Sequence, residues 1–419
     1  MRDIVLACII FGSLPFILRR PFWGILMLAW LGYMNPHRLT WGFMFGMPVV
    51  SIVAVTTLVA MLMSREAKRI VWSREIAVLV VFILWMTVTT TQARNTSLAW
   101  MQWDKVVKIQ ILTFMTLVML NSRERVHMLI WVIVLSLGFY GVKGGIFTIV
   151  NGGSYRVQGP TGSFIAGNNE LAMALVMTIP LMRYLQLNEQ DPRIKKGLAA
   201  AMLLTALAAV GSHSRGALLA LLITAFIFWL KSRQKLATAM LITIPAILTV
   251  LIMPAEWFER MHSIKNYEED ASAQGRFMAW EFAMNAARDS IFGVGFDNFR
   301  GYDAHSIYFE VLGEHGYIGL ALFLLLLALT WWKSGAIIRL AKARPETLWA
   351  RDLAAMIQVT LVAYMSAGAF LGLAYFDYLY HLVAVVVVVH HMLKSAQASP
   401  SVAQAPSEPL SLFGAFRRA

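Results

Sequence analysis

Arg215, Arg276 and His305 are side chains of types suited to work on phosphates and hydroxyls. A guanidinium is a permanent cation whose planar fork matches two phosphate oxygens at once. An imidazole titrates near neutral pH, so it can accept or orient a hydroxyl proton. Arg215 stands in the turn GSHSRG, between apolar segments expected at 197–210 and 216–230. Helices that short cannot lift their joint to the water surface, so the turn is expected to lie recessed below it. A cation near the bilayer centre costs about 2.5–3.5 kcal/mol on insertion scales and normally faces the bundle interior with a partner. Arg215 is then either an anchor reaching for headgroups or, as favoured here, a guanidinium for a phosphate.

His305 opens the stretch HSIYFEVLGEHGYIGL. Eleven residues, close to a whole number of helical turns, separate it from Gly316, which predicts that the two share one helix face. Gly313, Gly316 and Gly319 form a smooth strip along which another helix can approach. A lone interfacial histidine is ordinarily a structural hydrogen-bonding group. Its position at the outer start of a helix, directly after a long loop, favours a catalytic role.

That loop runs from about 255 to 304, and loops of such length inside a compact protein are usually functional. Its segment SAQGRFMAWEFAMNAARDS puts Phe277, Trp280, Met284 and Ala287 at helical spacing, predicting an amphipathic helix on the membrane surface. The following SIFGVGFDNF suits a tight turn returning the chain to the lipid. No strand precedes it, so it is not a dinucleotide fingerprint. The run Glu268-Glu269-Asp270 reads as a solvated face rather than a metal site. Candidate substrate-binding residues around this region are Arg156, Lys143, Arg288, Arg300, Trp280 and Ser306.

The elements that must hold these residues follow from composition. Of 419 residues 58% are hydrophobic and 14% charged, with mean hydropathy +0.63, far more apolar surface than a soluble fold could hide. Cys8 is the single cysteine, so no disulfide scaffold exists within the chain. Apolar spans are expected at 41–63, 76–93, 105–121, 127–150, 168–187, 197–210, 216–230, 236–254, 305–332, 352–373 and 375–393, after a short pair at 4–18 and 22–34. The pair is two tilted spans or a span with a re-entrant piece; a cleaved signal peptide fits poorly. Alternate loops and the tail collect 23 of the 36 Lys and Arg residues, which assigns that side to the cytoplasm. The net charge of +13 is therefore a topology signal, not a sign of nucleic acid. The expected fold is all-α, a polytopic transmembrane bundle of about 12 (11–13) helices. Residues 1–395 form the membrane domain, 255–304 a long periplasmic loop with amphipathic helices, and 396–419 a disordered cytoplasmic tail.

Several of these features together resemble the O-antigen ligase superfamily of lipopolysaccharide assembly. They are Arg215 in an outward turn, Gly275-Arg276 and Trp280 in the large loop, SIFGVGFDNF, and His305-Ser306 followed by Gly316 and Gly319. With RVQGPTGSFIAGNNELA near 156–172, the resemblance covers about 130–330. It implies glycosyl transfer on the periplasmic side of a bacterial inner membrane, from an undecaprenyl diphosphate-linked glycan to a sugar hydroxyl of lipid A–core. His305 would activate or orient the acceptor, Arg215 and Arg276 would bind the diphosphate, and one-step displacement would invert the anomeric carbon. No cofactor and no protein partner are expected beyond membrane lipids. No metal is expected either, since the chain has no Asp-x-Asp or HExxH. An O-antigen polymerase and a protein O-oligosaccharyltransferase share the arginine and loop elements. A secondary transporter is the reading from another class, suggested by Thr178-Ile179-Pro180 and Thr243-Ile244-Pro245 in oppositely directed spans.

Overall fold

The computed structural model describes residues 1–66, 68–262, 271–296, 299, 303–342 and 345–398, and these are helical with no strand among them. The chain runs through α1 (Arg2–Arg19), α2 (Phe22–Met34), α3 (Val49–Met63), α4 (Arg74–Thr91), α5 (Thr96–Met119), α6 (Arg123–Val150), α7 (Asn168–Asn188) and α8 (Pro192–Val210). It continues through α9 (Arg215–Lys231), α10 (Lys235–Ile252), α11 (Ala255–His262), α12 (Ala271–Asp289), α13 (Ile307–Ala341), α14 (Leu348–Gly368) and α15 (Asp377–Ala398). Each expected span recurs as a helix. Six of them, α4, α6, α7, α10, α13 and α15, are long and apolar enough to cross a bilayer by that measure alone. The others are shorter, less apolar or more charged. α15 continues to Ala398, past residue 396 where the tail is expected to begin; residues 399–419 lie outside the described residues.

The span expected from residue 41 begins only at Val49. Before it the backbone forms two 3-10 turns, Pro36–Leu39 and Phe43–Gly46, and Asp3 of α1 accepts the amide hydrogens of Gly42 and Met44 at 3.1 and 3.2 Å. A carboxylate thus satisfies amides that a helix would otherwise have paired. Elsewhere small residues set the packing. Gly141 and Gly145 lie one turn apart on α6, and a Cβ at either would collide with α8, at Thr205 and at the carbonyl of Leu204. Only glycine admits so close an approach.

The basic loops gather at one end of the bundle. There Arg125 pairs with Glu66 at 2.9 Å, Arg183 donates to Gln234 at 2.8 Å, and Lys333 pairs with Glu75. The turns at 92–95, 151–167, 211–214 and 369–376 close the other end, together with the start of α13.

α13 is two helices joined at Gly316, whose φ of +65° and ψ of −171° are not helical. The break lets Val294 and Gly295 of SIFGVGFDNF donate to the carbonyls of Gly313 and Glu314 at 2.9 and 3.0 Å, while Arg94 donates to the carbonyl of Val294 at 3.2 Å. The glycine-rich segment is therefore a plug between the end of α4 and the broken helix. It is not a simple return into lipid, because the helix carbonyls freed at the break need donors. Below the break His315 is buried, sharing a hydrogen bond with Thr89 at 2.7 Å, and the Trp85 indole donates to the His315 carbonyl at 2.8 Å.

A Cβ at Gly316 would require a left-handed backbone and would collide with the carbonyl of Ile291. Gly316→Ala is therefore expected to destabilise the protein by about 1–3 kcal/mol from backbone strain alone. Thermal unfolding in detergent checks this: a clear fall in midpoint is expected, and an unchanged midpoint would show that the break is not required.

Candidate functional site

The turn before Arg215 is buried. Gly211, Ser212, His213 and Ser214 are all covered, although α8 and α9 have 19 and 17 residues and are longer than the segments expected. Short flanking helices therefore do not account for the recess; covering elements do. The Trp257 indole and the Arg260 Nε on α11 donate to the carbonyls of Val210 and His213 at 3.3 and 3.1 Å. The Val157 amide donates to the carbonyl of Gly211 at 2.9 Å. His213, with φ of +59°, lies 2.8 Å through its Nε2 from the Gly153 carbonyl, and that contact makes Nε2 the protonated nitrogen. Burial pushes its imidazole below the ordinary value, the Gly153 bond opposes this, and Arg156 and Arg260 add to the lowering. Ser214 caps α9, its hydroxyl accepting from the Ala217 amide at 3.2 Å, so Arg215 occupies the first position of the helix and is half-buried.

His305 lies outside α13. It precedes the helix with φ of +45°, so it does not share a helix face with Gly316, and that expectation is overturned. Both ends of the supposed continuous helix are interrupted: α13 starts at Ile307 and breaks at Gly316. Asp303 holds the histidine instead. One carboxylate oxygen accepts the His305 amide at 2.7 Å and the other lies 3.5 Å from Nδ1. The side chain is 38% exposed. Left-handed backbone in a non-glycine residue costs about 1–3 kcal/mol and is concentrated at functional sites.

α12 covers this segment with a row of alanines, while larger apolar side chains expected on its membrane face lie on the protein's surface. Ala279, Ala283, Ala286 and Ala287 turn inward, and Ala283 abuts the place where Gly313 has no Cβ, whereas Phe277, Met278 and Met284 are exposed. Alanines allow two helices to approach closely, which the larger side chains would prevent. Trp280 is half-buried, donates to the carbonyl of Ala304 at 2.9 Å and stacks on Phe309 with centroids 4.8 Å apart. Arg276 lies one turn before Trp280 on the same face of α12 and is half-buried.

The start of α7 joins the pieces. Asn168 donates to the Ser212 carbonyl at 2.8 Å, and Glu170, on the same turn, lies within electrostatic reach of Asp303 and His305. The turn of Arg215 and the Trp280-covered segment of His305 and Ser306 thus lie at one end of the bundle, with Arg276 one turn from Trp280. Arg156 is exposed beside the His213 turn. Lys143 is not brought in: it is exposed on α6 with Phe139, Ile146 and Phe147 exposed around it, a face directed out of the bundle. Arg288 is exposed about 18 Å along α12 from Arg276. Arg300 and the run Glu268-Glu269-Asp270 lie outside the described residues. Among the described residues no three His, Cys, Asp or Glu side chains are grouped to hold a metal ion.

Sequence reasoning missed Asp303, Glu170 and Asn168. Asp303, two residues before the histidine, was legible as an orienting carboxylate. The other two come from a distant helix, and only tertiary packing reveals them.

The family described as O-Antigen ligase matches residues 200–324, and a family of unknown function (DUF5935) matches residues 1–190. No curated protein matches the chain. The first match contains the turn of Arg215, the α12 cover with Arg276 and Trp280, the plug and His305, so residues 200–324 support an O-antigen ligase/polymerase superfamily member.

Proposed function

We propose that the protein transfers a glycan from undecaprenyl diphosphate to a sugar hydroxyl of lipid A–core, with inversion, at the periplasmic face of the inner membrane. The observation that carries this reading is that His305, held by Asp303, is joined through the start of α7 to the turn of the half-buried Arg215. Among the described residues Ser306 Oγ and His305 Nδ1 are also buried without a hydrogen-bond partner, so a bound hydroxyl could satisfy them. In the reaction the acceptor oxygen bonds to the anomeric carbon as the carbon–oxygen bond to the diphosphate breaks, and the diphosphate leaves with the electron pair. His305 takes or orients the hydroxyl proton. Arg215 and Arg276 neutralise the growing negative charge through charge-assisted bonds of about 1.5–3 kcal/mol each. Trp280 positions the histidine segment, and the exposed Arg156 can meet anionic substrate groups. The test is reconstitution with a lipid-diphosphate glycan and separate acceptors, weighing which acceptor gains mass.

The orientation rests on the segregation of basic loops to the end opposite His305. Single cysteines at Arg65 and Arg288, both exposed, in a Cys8→Ser background are expected to react differently with an impermeant reagent in intact spheroplasts. Position 288 should label and position 65 should not; the reverse pattern overturns the periplasmic site. The buried turn at 211–214 is no use as a reporter, since a probe cannot reach it.

The transfer needs no metal ion in this reading, because arginines supply the permanent positive charge that a divalent cation provides elsewhere. Hard cations require several oxygen ligands. Product formation is expected to survive EDTA, and loss of activity restored by magnesium or manganese would reject the arginine-based site.

A further inference from the structure

At the end of the bundle opposite His305, the start of α4, the last third of α13 and the end of α15 enclose a cavity of about 580 Å³. Arg74, Lys333, His390, His391 and Lys394 line it, against a single carboxylate, Glu75. That carboxylate is already engaged. Glu75 is buried, pairs with Lys333 and accepts from the Ser73 hydroxyl at 2.9 Å. Lys333 is thereby neutralised within the wall, while Arg74 and Lys394 are exposed and make no ion pair among the described residues. The cavity therefore presents two uncompensated cations and two imidazoles.

The walls also mark its depth. Trp72 and Trp332 border the cavity and are 66% and 63% exposed, the arrangement of indoles that sit at the headgroup level of a bilayer. Leu329 and Val387 continue the lining toward the bundle interior with apolar surface. Basic pockets between membrane helices at a headgroup level bind phosphate-bearing lipid heads. We infer that this cavity binds the phosphate of an anionic phospholipid headgroup, its acyl chains following the apolar edge, at a site separate from the transfer centre. A soluble phosphate would satisfy the cations equally, but it would leave the indoles and apolar edge without a role.

The whole protein, delipidated in neutral detergent, can be titrated with mixed micelles of phosphatidylglycerol, with phosphatidylcholine micelles, and with inorganic phosphate. Thermal midpoint and native mass spectrometry provide the readouts, and neither depends on transfer activity. Phosphatidylglycerol is expected to bind and raise the midpoint, with half-saturation at least 10-fold higher in Arg74→Glu/Lys394→Glu. Both positions are exposed, and Arg74→Gln/Lys394→Gln offers a milder change expected to move the same way. Equal binding of phosphatidylcholine, or phosphatidylglycerol binding unchanged in both variants, overturns the site. Binding of inorganic phosphate as tight as that of phosphatidylglycerol overturns the lipid assignment.

Discussion

His305→Ala should lower glycan transfer by about 100- to 10,000-fold, the range a positioned acid–base group contributes, while the protein still folds. The histidine sits ahead of α13 and is 38% exposed, so its ring fills no packed core and its loss opens no cavity. Equal yield and thermal midpoint with lost product is the expected pattern. Near-normal turnover in the purified variant would remove both the base and the orienting role. Asp303→Asn offers a graded companion. It keeps an acceptor for the His305 amide but weakens the carboxylate's hold on Nδ1, so a smaller loss than that of His305→Ala is expected.

Arg215→Lys and Arg276→Lys should each weaken donor binding by about 10- to 150-fold, the equivalent of one charge-assisted bond of 1.5–3 kcal/mol. A lysine keeps the charge but not the fork, and a point ammonium cannot span two phosphate oxygens. Direct binding of a lipid diphosphate to the purified variants measures this. If the affinity is unchanged while the midpoint falls, the arginines hold the fold rather than the donor. Arg215 begins α9, so its variant also tests whether the cap formed by Ser214 alone secures that turn.

Hydropathy made the helices legible because a membrane forces runs of apolar residues whatever their neighbours do. The spans expected at 127–150 and 168–187 appear as α6 and α7 with little change at their ends. Local periodicity misled where backbone breaks intervene. Gly316 was read as one of a strip of small residues, yet its positive φ ends a helix and makes room for the plug. A glycine's spacing does not reveal which of these it does. On α12 hydrophobic spacing marked Phe277 and Met284, which lie on the protein's exposed surface, and did not mark the alanines that close approach at Gly313 selects. For the site, residue type identified Arg215, Arg276 and His305. The link between the Arg215 turn and the His305 segment runs through Asn168 and Glu170, more than a hundred residues before His305 and invisible to any spacing rule.

The most direct measurement incubates the purified protein with an undecaprenyl diphosphate-linked glycan and, in separate reactions, lipid A–core, a second copy of the lipid-linked glycan, and a peptide acceptor, followed by mass spectrometry of each product. Lipid A–core is expected to gain the mass of the glycan, with release of undecaprenyl diphosphate. A doubled glycan on the lipid carrier would make the protein a polymerase, mass gained by the peptide would make it a protein-glycosylating enzyme, and either result would contradict the ligase assignment.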